Sequence, residues 1–151
     1  MAPDQSAENL DLVITRVFDA PRERVWKAWT DAEDMKYWSS PCGFAIPVSE
    51  GDLKAGGYWK AVMVKPDGTR LPLGGTYREI VPPGKLVFTH AWLDESDRPT
   101  SPETVCTVLL ESRGDKTRMT FRQTGFTSSE SQKGHEGGWS ESFDKLADLL
   151  V

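Results

Sequence analysis

Four residues of this 151-residue chain are the candidates for proton-transfer chemistry: His90, His135, Tyr77 and Glu79. General acid–base catalysis needs such a group next to an orienting partner. His90 lies in an alternating run, Leu86 to Trp92, on the side that also carries the bulky residues. There it would bind a polar group of a ligand or shuttle a proton, with Glu79 as a partner from the neighbouring strand. His135 stands among Lys133, Gly134 and Glu136 and is expected on a solvated surface. Cys42 follows Pro41 and has no flanking basic residue that would lower its pKa. The two cysteines and two histidines have no metal-ligand spacing. The glycine pairs 56–57, 74–75 and 137–138 lack the Lys-Ser/Thr or the G-x-G-x-x-G form of a phosphate loop. No serine sits in a nucleophile elbow. The expectation is a protein with no metal, no cofactor and no evident catalytic centre, His90 being the one weak catalytic candidate.

The elements that would position these groups follow from periodicity. Residues 1–9 are polar and read as a disordered tail, so a single domain is expected over residues 10–151. Leu12 to Phe18 alternates and is rich in β-branched residues, which predicts a strand. Pro21 suits the first turn of a helix, and Val25, Ala28 and Trp29 share one helical face. Thr30-Asp31-Ala32-Glu33 has the form of a capping box and predicts a second short helix to about Trp38. Strands are then expected at 44–50, 58–64, 70–81, 86–92, 104–111 and 117–124, separated by turn residues such as Pro66-Asp67-Gly68 and Pro82-Pro83-Gly84. The polar stretch Asp94 to Pro102 is the longest irregular segment and a candidate pocket rim. Ser129 and Gln132 could cap a last helix, whose stripe is Trp139, Phe143, Leu146 and Leu150. Glycines 134, 137 and 138 weaken its first half. An antiparallel meander with helices on one face is an α+β arrangement.

Alternation also assigns faces. Leu86, Phe88, His90 and Trp92 should meet the last helix, as should Trp59, Ala61 and Met63 on their strand. The same logic turns Met119, Phe121 and Gln123 inward, and puts Leu73, Gly75 and Tyr77 on one face. Gly75 there would leave room for a cavity. Trp139, Phe143 and Leu146 point back from the helix. The result is an apolar lining with few polar groups: His90, Tyr77, Gln123 and Thr107. That composition suits a small-molecule pocket, although a solid core with satisfied polar residues has the same composition. The candidate ligand-binding set is Trp59, Met63, Gly75, Tyr77, Phe88, His90, Trp92, Met119, Phe121, Trp139 and Phe143.

Net charge is −5, from 18 Lys+Arg and 23 Asp+Glu mixed along the chain. Without a basic stripe, nucleic acid and anionic membranes are not expected partners. No apolar run is long enough to span a membrane, and the N-terminus has no secretory pattern. Two cysteines fit reduced thiols, and a cytoplasmic location is expected.

Several short motifs stand in fixed order: Asp19-Ala20-Pro21 with Val25-Trp26, Tyr37-Trp38-Ser39-Ser40-Pro41, Gly56-Gly57-Tyr58-Trp59, Pro66-Asp67-Gly68, Gly75-Thr76-Tyr77-Arg78, Thr117-Arg118-Met119-Thr120-Phe121 and Gly138-Trp139. Together they make the chain, over residues 10–151, resemble the domain named after the activator of the heat-shock-protein-90 ATPase, in the START-like (SRPBCC) superfamily. The resemblance implies a helix-grip fold: a curved antiparallel sheet wrapped around a long C-terminal helix, two short helices after the first strand, and often a cavity between sheet and helix. It implies a protein that binds a hydrophobic or amphipathic small molecule. One alternative is a cyclase- or lyase-like enzyme acting on a hydrophobic or aromatic substrate through His90. The other is a co-chaperone in the stress response, binding a heat-shock chaperone. The chaperone activator itself carries a further N-terminal domain, whereas about ten residues precede the first strand here, so this partner is the least favoured.

Overall fold

Ten elements follow one another in the computed structural model, which describes residues 10–150. Strand β1 (Leu12–Phe18) leads into helices α1 (Arg22–Thr30) and α2 (Ala32–Trp38). Six strands come next: β2 (Ala45–Gly51), β3 (Tyr58–Val64), β4 (Arg70–Val81), β5 (Lys85–Trp92), β6 (Thr104–Arg113) and β7 (Lys116–Thr124). Helix α3 (Ser129–Leu150) closes the chain. The expected tail at 1–9 lies outside the described residues.

The strands form one antiparallel sheet in the order β1-β7-β6-β5-β4-β3-β2. Strands β2 to β7 are a meander, each pairing antiparallel with the next in the chain. The two short helices carry the chain from β1 at one edge to β2 at the other. The ladder shifts register between Ala45 and Val48 on β2 and between Tyr77 and Glu79 on β4. Such irregularities bend a strand and help the sheet curve.

Local chemistry explains the element ends, with three differences from the sequence expectation. Pro21 occupies the cap position just before α1, with extended backbone, rather than the first helical turn. The expected capping box does not form: Asp31 caps α2 without a side-chain bond, and the Thr30 hydroxyl donates back to the Trp26 carbonyl (2.9 Å). At α3 the capping group is Ser128, whose hydroxyl accepts from the Ser131 N–H (3.1 Å). Gln132 instead donates to the Asp11 carbonyl (3.0 Å), tying the helix to the chain just before β1.

Burial is lopsided across the concave face. On β7, Thr117, Met119, Phe121 and Gln123 are fully buried, and on β6 so are Cys106, Val108 and Leu110. Phe143 and Leu146 of α3 and Val25, Ala28 and Trp29 of α1 pack against them. On β3, by contrast, Trp59, Ala61 and Met63 face inward and are only half-buried. One end of the sheet is therefore filled by helices, and the β2-β3-β4 end is not.

Candidate functional site

A hollow of about 470 Å³ occupies that unfilled end. Its floor is Trp59, Ala61 and Met63 of β3, Leu71, Leu73 and Tyr77 of β4, and Phe88, His90 and Trp92 of β5. Helices α1 and α2 contribute Trp29 and Met35, Phe44 and Ile46 close the β2 side, and α3 adds His135, Gly138 and Trp139.

Of the eleven residues expected to bind a ligand, the structure brings seven to this wall: Trp59, Met63, Tyr77, Phe88, His90, Trp92 and Trp139. Four do not reach it. Met119, Phe121 and Phe143 are inward-facing but fully buried, because they belong to the filled end of the sheet. Gly75 serves a different purpose. It stands directly opposite Trp59 in the β3–β4 ladder. A Cβ at Gly75 would overlap the Thr89 carbonyl oxygen. The bare backbone lets β4 and β5 approach there, and the Trp59 indole N–H donates to that same Thr89 carbonyl (2.8 Å). The Thr89 hydroxyl accepts from the Thr76 N–H (2.8 Å). These two bonds stand in for ladder bonds where the β4–β5 pairing is interrupted between Gly74 and Tyr77. Gly75 makes room for strand approach, not for a ligand.

The polar groups also differ from expectation in three places. Thr107 pairs with Val87 and alternates with the buried Thr104, Cys106 and Val108, so it faces away from the helix. Glu79 is half-exposed and ion-paired with Lys85 (3.2 Å), and does not partner His90. His135 is not a solvated surface residue: it is half-buried, with its ring centre 5.7 Å from that of His90, 6.0 Å from Trp92 and 4.9 Å from Phe126. The signal was present in the spacing, because His135 lies one helical turn before Trp139 and extends the stripe that Trp139, Phe143 and Leu146 define. Trp29, Met35 and Phe44 were also missed as wall residues, since their placement depends on how α1, α2 and β2 fold across the sheet's open end.

Gln123, the other polar residue expected inside, holds a relay. The Trp139 indole N–H donates to its Oε1 (2.9 Å), its Nε2 donates to Thr104 Oγ1 (2.8 Å), and the Thr104 hydroxyl donates to the His90 carbonyl (3.0 Å). The chain of bonds fastens α3 to β7, β6 and β5. Gln123→Leu should cost about 2 kcal/mol in urea denaturation, because it leaves the Trp139 N–H unpaired beside the hollow. A loss under about 0.5 kcal/mol would show that the relay is incidental.

Electrostatics are quiet at this site. Burial, reinforced by His135, pushes His90 down to about 3, so its ring is neutral at physiological pH. Burial raises the Tyr77 hydroxyl above its ordinary value. Cys42 is exposed and Cys106 buried, both as free thiols, and burial holds the Cys106 thiol well above its usual value. Among the described residues no group of three or more His, Cys, Asp or Glu could hold a metal ion, and no helix is long and apolar enough to cross a membrane.

A curved antiparallel sheet gripping a C-terminal helix, with a hollow at one end, is the helix-grip architecture of the START-like proteins. The chain belongs to the family described as Activator of Hsp90 ATPase homolog 1-like protein, whose profile matches residues 19–151. Solved structures agree. A protein from Arthrobacter aurescens is 30% identical with a TM-score of 0.84, covering 97% of this chain and 89% of that one. The AHSA1 protein from Silicibacter pomeroyi is 29% identical with a TM-score of 0.82, covering 93% and 96%. A protein from Nitrosomonas europaea is 29% identical with a TM-score of 0.79, covering 93% of each chain. No curated protein sequence matches this chain. The family's fold is one that suits ligand binding.

Proposed function

We propose that this protein binds a hydrophobic or amphipathic small molecule in the hollow between sheet and α3, without transforming it. The observation that carries this reading is the unfilled end of the sheet. The same chain buries Trp38, Phe121 and Phe143 completely, yet leaves about 470 Å³ beside apolar walls of β3, β4 and β5. Such a volume, with few convergent polar groups, is in the range of small-molecule pockets. A bound ligand would cover apolar surface that folding ordinarily covers.

The enzyme reading has less behind it. A histidine held at about 3 is a weak general base at neutral pH. The carboxylate that would have oriented it, Glu79, is paired with Lys85. Acid–base chemistry on His90 would need a partner supplied by the substrate.

The test fills the hollow from its floor. Ala61 is half-buried on β3 and lines the space. Ala61→Phe should weaken binding of the neutral fluorescent probe N-phenylnaphthylamine by about tenfold or more, with the amide NMR spectrum otherwise native. Undiminished affinity in a folded Ala61→Phe variant would remove the hollow as the binding site.

A further inference from the structure

We propose that the molecule held in this hollow is an aromatic alcohol, and that His90 and His135 together read its uncharged hydroxyl. The proposal rests on the hollow being a ligand site and adds the chemical class of its occupant.

The two imidazoles form a partition. Both line the large hollow, and both also line a small chamber of about 40 Å³ behind it, next to Ser101, Thr104 and Phe126. Their ring centres are 5.7 Å apart at a steep angle of 79°. One oxygen atom of a ligand can therefore meet a nitrogen of each. Flat rings surround the spot: Trp59, Trp92 and Trp139 have centres 5.7, 5.9 and 6.3 Å from that of His90. Faces and edges of this kind favour an aromatic frame over a flexible chain.

The hydrogen-bonding capacity of the pair is specific. His135 Nδ1 lies 2.8 Å from the Ser131 carbonyl oxygen. A carbonyl only accepts, so Nδ1 bears the hydrogen, and in the neutral ring Nε2 is left as an acceptor. Among the described residues, no other residue is hydrogen-bonded to the His90 ring, and the His90 main-chain carbonyl accepts from Thr104. Being neutral, it has one donor and one acceptor nitrogen. A hydroxyl donates one hydrogen and accepts another, so it can give to His135 and take from His90. A carboxylate only accepts and an ammonium only donates.

Charge points the same way. The cations on the wall are Lys60, which is ion-paired with Asp97 (2.6 Å), and Lys65, which is exposed. The carboxylate on the wall, Glu50, is exposed as well. None belongs to β5 or α3. A charged end group beside the imidazoles would be desolvated without a counter-ion.

The experiment compares three ligands of one shape by calorimetry at pH 7.5: naphthol, its methyl ether, which keeps the oxygen but cannot donate, and naphthoate. Naphthol should bind about tenfold more tightly than either. His135→Phe keeps a ring in place but removes the acceptor, and should collapse the preference for naphthol over its ether. His135→Gln, which restores an acceptor, should recover part of it. Equal affinities, tightest binding of naphthoate, or an undiminished preference in a folded His135→Phe variant would overturn the hydroxyl while leaving the hollow as a ligand site. Failure of all three compounds to bind would overturn both.

Discussion

Trp29→Ala should destabilise the protein by about 3–5 kcal/mol, the largest loss expected of any single truncation on the helical side. The side chain is 2% exposed and sits at the hub of the aromatic core. Its ring centre is 4.7 Å from Trp38, 6.0 Å from Phe143, 6.1 Å from Phe121 and Trp139, and 6.2 Å from Phe88. One residue of α1 thus touches α2, α3, β5 and β7. Alanine would leave a cavity bordered by rings that cannot all collapse into it. Trp29→Phe should cost far less, since the Trp29 N–H is buried with no hydrogen-bond partner and its removal forfeits none. Trp38→Phe makes the opposite case: it gives up the 2.8 Å bond to the Ala28 carbonyl, worth about 1 kcal/mol beyond the lost packing. Urea denaturation of the three variants reads the differences. An alanine variant within about 1 kcal/mol of the parent would show that α1 is held by something other than this ring.

Gly75→Ala should cost about 3 kcal/mol, as much as many core truncations, although it adds a single methyl group. The methyl would overlap the backbone oxygen of Thr89, and backbone cannot rotate aside as a side chain can. Either β4 and β5 part, or the Thr89 carbonyl turns and loses the Trp59 N–H. Thermal unfolding measures the loss, and the Trp59 indole proton resonance should move toward its free position. Gly134→Ala is the internal control. No atom lies within 4 Å of a Cβ built there, and the site is helical, so that variant should be neutral or stabilised by about 0.5–1 kcal/mol. A Gly75→Ala variant as stable as the parent would mean that the strands are not held at their close approach.

The two residues illustrate what a sequence can and cannot convey. Alternation placed Leu86, Phe88, His90 and Trp92 on one face of β5 correctly, because a strand has one period and one side chain cannot change faces without its neighbours. The order of elements was legible for the same reason. Depth was not. Met119 and Trp59 both face inward, but one is sealed beneath α3 and the other borders open space, and that difference lies in where the helices stop along the sheet. Gly75 had the wrong purpose, since the atom it avoids belongs to the backbone of the neighbouring strand, at a gap in the β4–β5 pairing. His135 was misjudged by its polar neighbours in sequence, which on a helix point elsewhere; its neighbours in space are at the distance of a helical turn.

Helix α3 is uneven along its length. Its second half sends Phe143, Leu146 and Leu150 into the core. Its first half contains Gly134, Gly137 and Gly138, and around the first two there is nothing within 4 Å for a Cβ to strike. These glycines are not required by close packing, and each lowers helix-forming tendency by about 1 kcal/mol relative to alanine. Opening free energy therefore rises from the first turns toward the last. The segment of weakest helical tendency is therefore the one that carries His135, while the aromatic core packs against the other half.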